Sequence, residues 1–459
     1  MSVSSGKTKA VILAAGVGSR LRPITDVLPK CLVPVRGRPI VDLWLEKLLR
    51  AGVYDVLINT HAHAGQVSAY MDQVNATGLM DVTTFHEPEL LGSAGTLAAN
   101  PAFADDARDL IIIYPDNVSE ARLDTFLAAH RAHGLPATML LFRAPNPRAC
   151  GIATLDASGR VVAFVEKPKE PESDLANAGL YAMTADLYRE VAGLRGRDIG
   201  FDVLPRLVGR MAGHELNGFH RDIGTVKDLE EVSRLATWID AGLPGRAASQ
   251  PGRAEAGTGR PAVFIDRDGT IIEQVHYIRR PEDVRLSSGA AESIAALQRA
   301  GFACVCVSNQ SGLARGEITP EQHDAVHAEV ERQLAAAGVR LDGFEYCPIA
   351  PATRDRRAVD HPDRKPGPGM ILRAAGRLGI DIGRSWMIGD LPSDVLAGVN
   401  AGCGGTILLR SGLGPKGVTA DRLAGVFIRD DLPAAARLVV DGPPVPGSID
   451  RLVQGALSA

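Results

Sequence analysis

The feature that most constrains this chain is an alternation that occurs twice: short apolar runs separated by amphipathic helical stretches. It runs through "KAVILAA", "VYDVLINT" and "DLIIIYPD", and again through "PAVFID", "FACVCVSN" and "SWMIGD". Continuous apolar runs of this length are strands covered on both faces, which is the signature of parallel sheets layered between helices. An α/β fold is therefore expected in both halves, and 459 residues exceed what one hydrophobic core usually serves. The stretch 241–260 is rich in Gly, Ala, Pro and Arg and has no periodic apolar face, so it reads as a linker. The expected organisation is a domain over 1–240, a linker over 241–260, a domain over 261–440 and a tail over 441–459.

Charge narrows the partners. Lys and Arg total 50 against 54 Asp and Glu, a net charge of −4, so no basic field recommends nucleic acid. Any anion chemistry must rest on local cations. No apolar run has the length of a membrane span, and "MSVSSGKTKA" lacks an apolar signal core, so a cytoplasmic protein without a membrane partner is expected. Six cysteines occur without a CxxC pair, which fits a reducing compartment; Cys304 and Cys306 read as buried strand residues.

In "KAVILAAGVGSRLRPITDVLPKCLVPV" an apolar strand ends at Ala14, with Gly16, Gly18, Ser19 and Arg20 following and Lys30 further on. Glycines there let backbone N–H groups approach phosphate oxygens, and Arg20 and Lys30 supply charge. The third glycine of the dinucleotide fingerprint and the GK[ST] of a P-loop are both missing. The longer pattern "GVGSRLRP…PKCLVPV" resembles the sugar-phosphate nucleotidyltransferases, with Ala15 where many members have glycine. "ELLGSAGTL", "IIIYPDNV", "FVEKP", "NAGLY" and "RDIGT" follow in the family's order, so the resemblance covers roughly residues 8–238. It implies a mixed sheet in a Rossmann-like three-layer αβα domain. It also implies that Ala14, Gly16, Gly18, Ser19, Gly92 and Gly95 contact the nucleotide and that Arg20 and Lys30 act on the triphosphate. Asp116 and Asp222 would hold Mg²⁺, and Gly151, Glu166, Lys167 and Asn177 the sugar phosphate. Negative charge must be held in line when a sugar phosphate attacks the α-phosphorus of a nucleoside triphosphate.

In "FIDRDGT", Asp266 and Asp268 lie two apart, so in an extended segment they project to one side at the end of a strand. With "VSNQSG", "DRKPGPGM" and "MIGDLPSD" in order, the segment 261–410 resembles the haloacid-dehalogenase superfamily of phosphatases. The resemblance implies a second Rossmann-like αβα domain with a parallel sheet. Asp266 would be the nucleophile and Asp268 the acid and base. Ser308, Asn309 and Lys365 would bind phosphate, and Asp266, Asp268 and Asp390 would hold Mg²⁺, with Asp394 a second candidate near the metal or a helix N-terminal residue. "SNQSGLARG" resembles the branch acting on heptose 1,7-bisphosphate and histidinol phosphate, with Arg315 and Arg364 facing the distal phosphate. That branch carries a zinc loop, but Ile349, His361 and Asp363 replace three of its ligands and only Cys347 remains. No zinc is expected, and packing or ion pairs such as Arg356 or Arg357 with Asp360 are expected to hold the loop.

Removing one phosphate from a sugar bisphosphate leaves a sugar 1-phosphate, the acceptor that a nucleotidyltransferase needs. The two resemblances therefore imply a bifunctional enzyme of nucleotide-activated heptose synthesis, using GTP by analogy. Alternatives are a hexose 1-phosphate nucleotidyltransferase, for mannose or glucose, fused to a phosphatase for another phosphoester such as histidinol phosphate, and a sugar-nucleotide sensor with one dead domain. Partners are small molecules, and homo-oligomerisation is left open.

Overall fold

The structure, a computed structural model, describes residues 6–194, 196–236, 239 and 259–442; nearly all of the expected linker and the tail beyond 442 lie outside the described residues. The chain forms two compact units, each built around its own sheet.

In the first unit the sheet runs Val161–Glu166, Gly151–Leu155, Leu175–Thr184, Ala107–Ile113, Lys7–Ile12, Asp55–Thr60, Asp81–His86. Lys7–Ile12 is parallel to both neighbours, with Ile12 opposite Ile58 on one side and Ile113 on the other. Leu175–Thr184 is antiparallel to Ala107–Ile113, so the sheet is mixed, as the resemblance implies. Val11 and Ile12 are fully buried, in keeping with their unbroken apolar run, and each such side chain contributes roughly 1.5–3 kcal/mol. Lys7–Ile12 thus has Ala107–Ile113 on one side and Asp55–Thr60 on the other, the kind of reversal in strand order beyond whose carboxyl ends open α/β sheets bind ligands.

In the second unit the order is Gly343–Cys347, Ala303–Asn309, Ala262–Ile265, Trp386–Gly389, Gly405–Leu409, Val426–Arg429, Arg422–Leu423. The first six are parallel, and the short Arg422–Leu423 adds an antiparallel edge that the purely parallel expectation did not include. Ala262–Ile265 is central, with Ile265 opposite Cys306 and Ile388. Cys304 and Cys306 are buried in the core, as read from their strand. No helix among the described residues is long and apolar enough to cross a membrane.

Candidate active sites

The register of the second sheet assembles its site. Asp266 follows Ile265, Ser308 lies two residues beyond the position opposite Ile265, and Asp390 two beyond Ile388, so three adjacent strands deliver them to one end. One carboxylate oxygen from each of Asp266, Asp390 and Asp394 lies within 4.8 Å of the others, and all three residues are buried. Lys365 enters this cluster, donating from Nζ to Asp266 Oδ1 at 2.5 Å and to the Val307 carbonyl at 2.8 Å, and pairing with Asp394 Oδ1 at 2.7 Å. Burial raises Asp266 well above the carboxylate range against the pull of Lys365. Burial, then the charge of Asp394, pushes Asp390 up to about 7.

Asp390 is cradled by backbone. Gly269 and Gly412 both have positive φ (86° and 58°), and a Cβ on either would run into Asp390 Oδ2. Only glycine serves at both positions. Oδ2 accepts the Leu413 N–H at 2.6 Å, whereas Oδ1 is buried with no partner. A buried unpartnered carboxylate oxygen beside two other carboxylates fits a hard divalent cation. Asp394 takes the helix N-terminal role, its Oδ2 accepting the Leu391 N–H at 2.9 Å and capping Pro392–Ala401, while its Oδ1 faces Lys365.

The Asp268 side chain stands outside that cluster of carboxylates, which leaves its backbone as the group expected near a metal. Its oxygens accept from Nε and Nη2 of Arg267, each at 3.1 Å, and from Gln310 Nε2 at 2.7 Å; Gln310 also donates to Ser308 Oγ at 2.8 Å. Paired in this way, Asp268 lines a cavity of about 150 Å³ together with Asp266, Ser308 and Lys365. Asn309 exchanges hydrogen bonds with the Lys365 backbone, from Nδ2 to O and from N–H to Oδ1, each 3.0 Å, and so fixes the lysine from behind. Arg315 and Arg364 line a larger neighbouring cavity.

In the loop Arg357 pairs with Asp355 at 3.1 Å, and Asp360 accepts the Ala352 N–H at 2.7 Å. Cys347 is buried, His361 Nδ1 accepts the Asp363 N–H at 3.1 Å, and the Asp363 carboxylate pairs with Arg373.

In the first unit, Lys30 Nζ sits 2.6 Å from Asp116 Oδ2 and 3.7 Å from Asp222 Oδ1. The aspartates meet because His220–Asp222 pairs antiparallel with Asn117–Ser119, setting Asp222 opposite Asn117, and because Ile223 N–H donates to the Asp116 carbonyl at 2.9 Å. Trp44 Nε1 anchors that turn through the Asn117 carbonyl at 2.9 Å. Burial and then Asp116 raise Asp222 to about 6, with Lys30 and Arg20 opposing. The pair has the hard oxygens that a divalent cation takes, with a lysine between them.

The glycine loop rests on a network that the sequence reading missed. Asn59 Oδ1 accepts the N–H groups of Ala14 at 2.5 Å and Ala15 at 3.1 Å, so the Ala14 N–H assigned to the nucleotide is already engaged. Among the described residues the N–H groups of Gly16, Val17 and Gly18 have no partner. Asn59 Nδ2 in turn donates to Glu87 Oε1 at 2.9 Å and to Thr96 Oγ1 at 2.8 Å, and Thr96 donates to the same Glu87 oxygen at 2.6 Å. Glu87 Oε2 accepts the Leu91 N–H at 3.1 Å, tying the loop carrying Gly92 and Gly95 to the loop carrying Gly16 and Gly18. The available signal was a polar residue at the end of each of two strands, in "VLINT" and "TTFHE". Ser19 and Arg20 are exposed, and the Arg20 guanidinium lies beside Gly224 and Asp222.

Gly151 and Glu166 are opposite one another, and Glu166 Oε2 occupies the space that a Cβ on Gly151 would need. Burial raises Glu166. Lys167 N–H donates to the Cys150 carbonyl at 3.0 Å, and its ammonium stands 5.9 Å from the Phe201 ring. Asn177 accepts the Gly179 N–H at 2.9 Å and donates to the Tyr181 hydroxyl at 2.7 Å. Burial raises the Cys150 thiol, and the nearby charges of Glu166 and Asp222 add to it, so the sugar side and the acidic pair flank that residue.

A family model described as nucleotidyl transferase matches residues 9–237, and one described as HAD-hydrolase-like matches residues 363–435. The chain is 40% identical over 182 residues to D-glycero-beta-D-manno-heptose-1,7-bisphosphate 7-phosphatase of Photorhabdus laumondii, covering 39% of this chain and 96% of that protein. It is 32% identical over 249 residues to mannose-1-phosphate guanylyltransferase catalytic subunit beta of Danio rerio, covering 53% and 69%. With glucose-1-phosphate thymidylyltransferase of Streptomyces griseus the identity is 34% over 236 residues, covering 50% and 65%. The chain thus spans about two thirds of those two transferases.

Proposed function

The chain belongs to the sugar-1-phosphate nucleotidyltransferases through its first half and to the HAD-like phosphatases through its second, and from that premise we propose that the two sites act in sequence on one sugar. The second site removes the 7-phosphate of D-glycero-D-manno-heptose 1,7-bisphosphate. The first joins the resulting 1-phosphate to the nucleotidyl group of GTP and releases pyrophosphate. The observation that carries this reading is the cluster of Asp266, Asp390 and Asp394 around Lys365, with Asp390 Oδ1 buried and unpartnered. The name of the phosphatase relative supports the sugar.

In the proposed phosphatase reaction an Asp266 oxygen bonds to phosphorus as the bond to the sugar oxygen breaks, and Asp268 gives that oxygen a proton. Water then attacks the aspartyl phosphate, Asp268 takes its proton, and inorganic phosphate leaves. Lys365 opposes the rise that burial gives Asp266 and holds its Oδ1 in place, and Ser308 lines the cavity into which the phosphoryl oxygens would point. Asp266, Asp390 and Asp394, with the backbone at Asp268, would hold Mg²⁺, which supplies positive charge against the repulsion between carboxylate and phosphate. In the transferase site Lys30 and Arg20 draw the triphosphate to the unengaged N–H groups of Gly16 and Gly18. Asp116 and Asp222 would hold Mg²⁺, and Glu166, Lys167 and Asn177 orient the sugar phosphate.

A second reading has an observation in its favour: the transferase relatives are named for mannose 1-phosphate and glucose 1-phosphate, so a hexose is the competing acceptor. Mass spectrometry after incubation with heptose 1,7-bisphosphate, GTP and Mg²⁺ separates the two. Intact enzyme is expected to form the GDP-sugar, Asp266→Asn to stall at the bisphosphate and Lys30→Ala at the monophosphate. Turnover of hexose 1-phosphates alone would overturn the heptose assignment.

A further inference from the structure

Beside the phosphatase centre lies a cavity of about 510 Å³, within the range of about 300–1,000 Å³ of small-molecule sites, and it shares Lys365 and Asn309 with that centre. Arg315, Arg354, Arg356 and Arg364 line it. Among the described residues Arg315, Arg354 and Arg356 have no carboxylate partner, and Arg364 donates only to the Ile349 carbonyl, at 2.8 Å. Of the two acidic residues of the lining, Asp355 pairs with Arg357, and Asp360 accepts the Ala352 N–H while its charge acts on Arg364, so the guanidinium groups outnumber the carboxylates left to face them. Burial, with the charges of Arg315 and Arg356 added, pushes the Arg364 guanidinium below its ordinary value against the pull of Asp360. Like charges gathered around one hollow repel one another, and a dianion relieves that repulsion.

We propose that Arg354 and Arg356, on the segment where the resembling branch carries its zinc ligands, complete with Arg315 and Arg364 a subsite for a second phosphate on the substrate, and that this loop thereby selects bisphosphates over monophosphates. The proposal rests on the phosphatase reading and adds two residues to it. A compact phosphate dianion matches several guanidinium forks at once, whereas a neutral sugar end would leave four charges unpaired.

Binding is read by calorimetry in full-length Asp266→Asn protein, in which turnover is stopped, with heptose 1,7-bisphosphate and heptose 7-phosphate as probes. Adding Arg354→Ala and Arg356→Ala is expected to raise the dissociation constant of the bisphosphate tenfold or more and to leave that of the 7-phosphate within twofold. Lysine at both positions is expected to restore part of the difference. In otherwise intact enzyme the double alanine variant is expected to raise KM for the bisphosphate with kcat within twofold, and to leave p-nitrophenyl phosphate turnover unchanged. An unchanged bisphosphate affinity, or an equal loss for both probes, overturns the subsite. Failure of intact enzyme to hydrolyse the bisphosphate while the binding difference persists overturns the reaction assignment and leaves the subsite standing.

Discussion

Each domain sets one lysine between two aspartates, and the two arrangements differ in burial. Lys365 is 3% exposed, between Asp266 at 8% and Asp394 at 1%. Lys30 is 13% exposed, between Asp116 at 31% and Asp222 at 52%. Around Lys365 water is gone, so the charges hold one another and none can leave without exposing the rest to a desolvation cost. Around Lys30 water screens the attraction, and the 3.7 Å contact to Asp222 is already long. The buried lysine is thus a fixed part of its site, whereas the open one is able to exchange a carboxylate for an incoming phosphate chain. The proposed chemistry would match this division: a phosphoryl group would pass to Asp266 among buried charges, while a triphosphate of several charges would enter the more open transferase site from solvent.

The sharpest way to break that contrast is to remove both lysines in turn. Lys365→Met is expected to lower the stability of the metal-free second domain by about 3–5 kcal/mol, the usual result of leaving a buried charge unpaired. Lys30→Met is expected to cost the first domain about 1 kcal/mol or less, while slowing nucleotidyl transfer on the order of a hundredfold. Calorimetric unfolding of the two variants checks the first pair of values and a pyrophosphate-release assay the second. Equal stability losses would mean that burial does not separate the sites.

A metal titration sharpens the same comparison with a smaller effect. Asp390 is raised to about 7 and Asp222 to about 6, both first by burial. Each group therefore binds its proton more tightly in the folded state, so its stabilising contribution is complete in acid and is lost as pH rises through those values. A divalent cation takes the carboxylates without their protons. Stabilisation by Mg²⁺ is accordingly expected to be greater at pH 8 than at pH 6, and greater in the second domain, where three carboxylates converge. At a hundred times the dissociation constant it reaches about 2.7 kcal/mol. Melting curves with and without Mg²⁺ at the two pH values check this, and a gain independent of pH would contradict it.

What was legible in the sequence was whatever sits at the end of a strand within a few residues of its motif. Asp266, Ser308 and Asp390 follow three apolar runs, and once those runs are parallel neighbours their convergence follows from register. Asp116 was recognisable for the same reason, and Lys30 through the longer pattern "PKCLVPV". Contacts made by side chains reaching between distant loops were not. Asn59, Glu87 and Thr96 form one buried network but are single polar residues in separate segments, and a lone Asn after a strand looks like any turn residue. The buried Arg267 was passed over because arginine is usually solvated, yet it grips Asp268 through two nitrogens. Which carboxylate Arg357 meets was not legible either: Asp355, two residues away, pairs with it at 3.1 Å. Alternation and strand ends travel with local sequence, whereas partner choice among charges depends on loop paths.

The smallest expected effect separates the domains away from either site. His130 is 3% exposed, its Nδ1 2.7 Å from Thr138 Oγ1 and its Nε2 3.8 Å from Asp109 Oδ1, with Arg131 and His133 nearby. Burial lowers its pKa to about 4 against the pull of Asp109. An unfolded histidine takes up its proton near pH 6.5, so as the medium is acidified the unfolded chain binds first, and stability present above that pH is lost progressively toward pH 4. The loss amounts to roughly 1–3 kcal/mol in the first domain. His220, also lowered to about 4 by burial, acts in the same sense in the first domain and Asp222 in the opposite one, while in the metal-free second domain Asp266 and Asp390 oppose His323 and His327, which burial lowers. Acidification from pH 7 to 4.5 is expected to move the first unfolding transition down relative to the second, and His130→Gln, which keeps a side-chain amide near Thr138, to shrink that movement. If both transitions fall together in the parent and the variant alike, the acid sensitivity does not originate at His130.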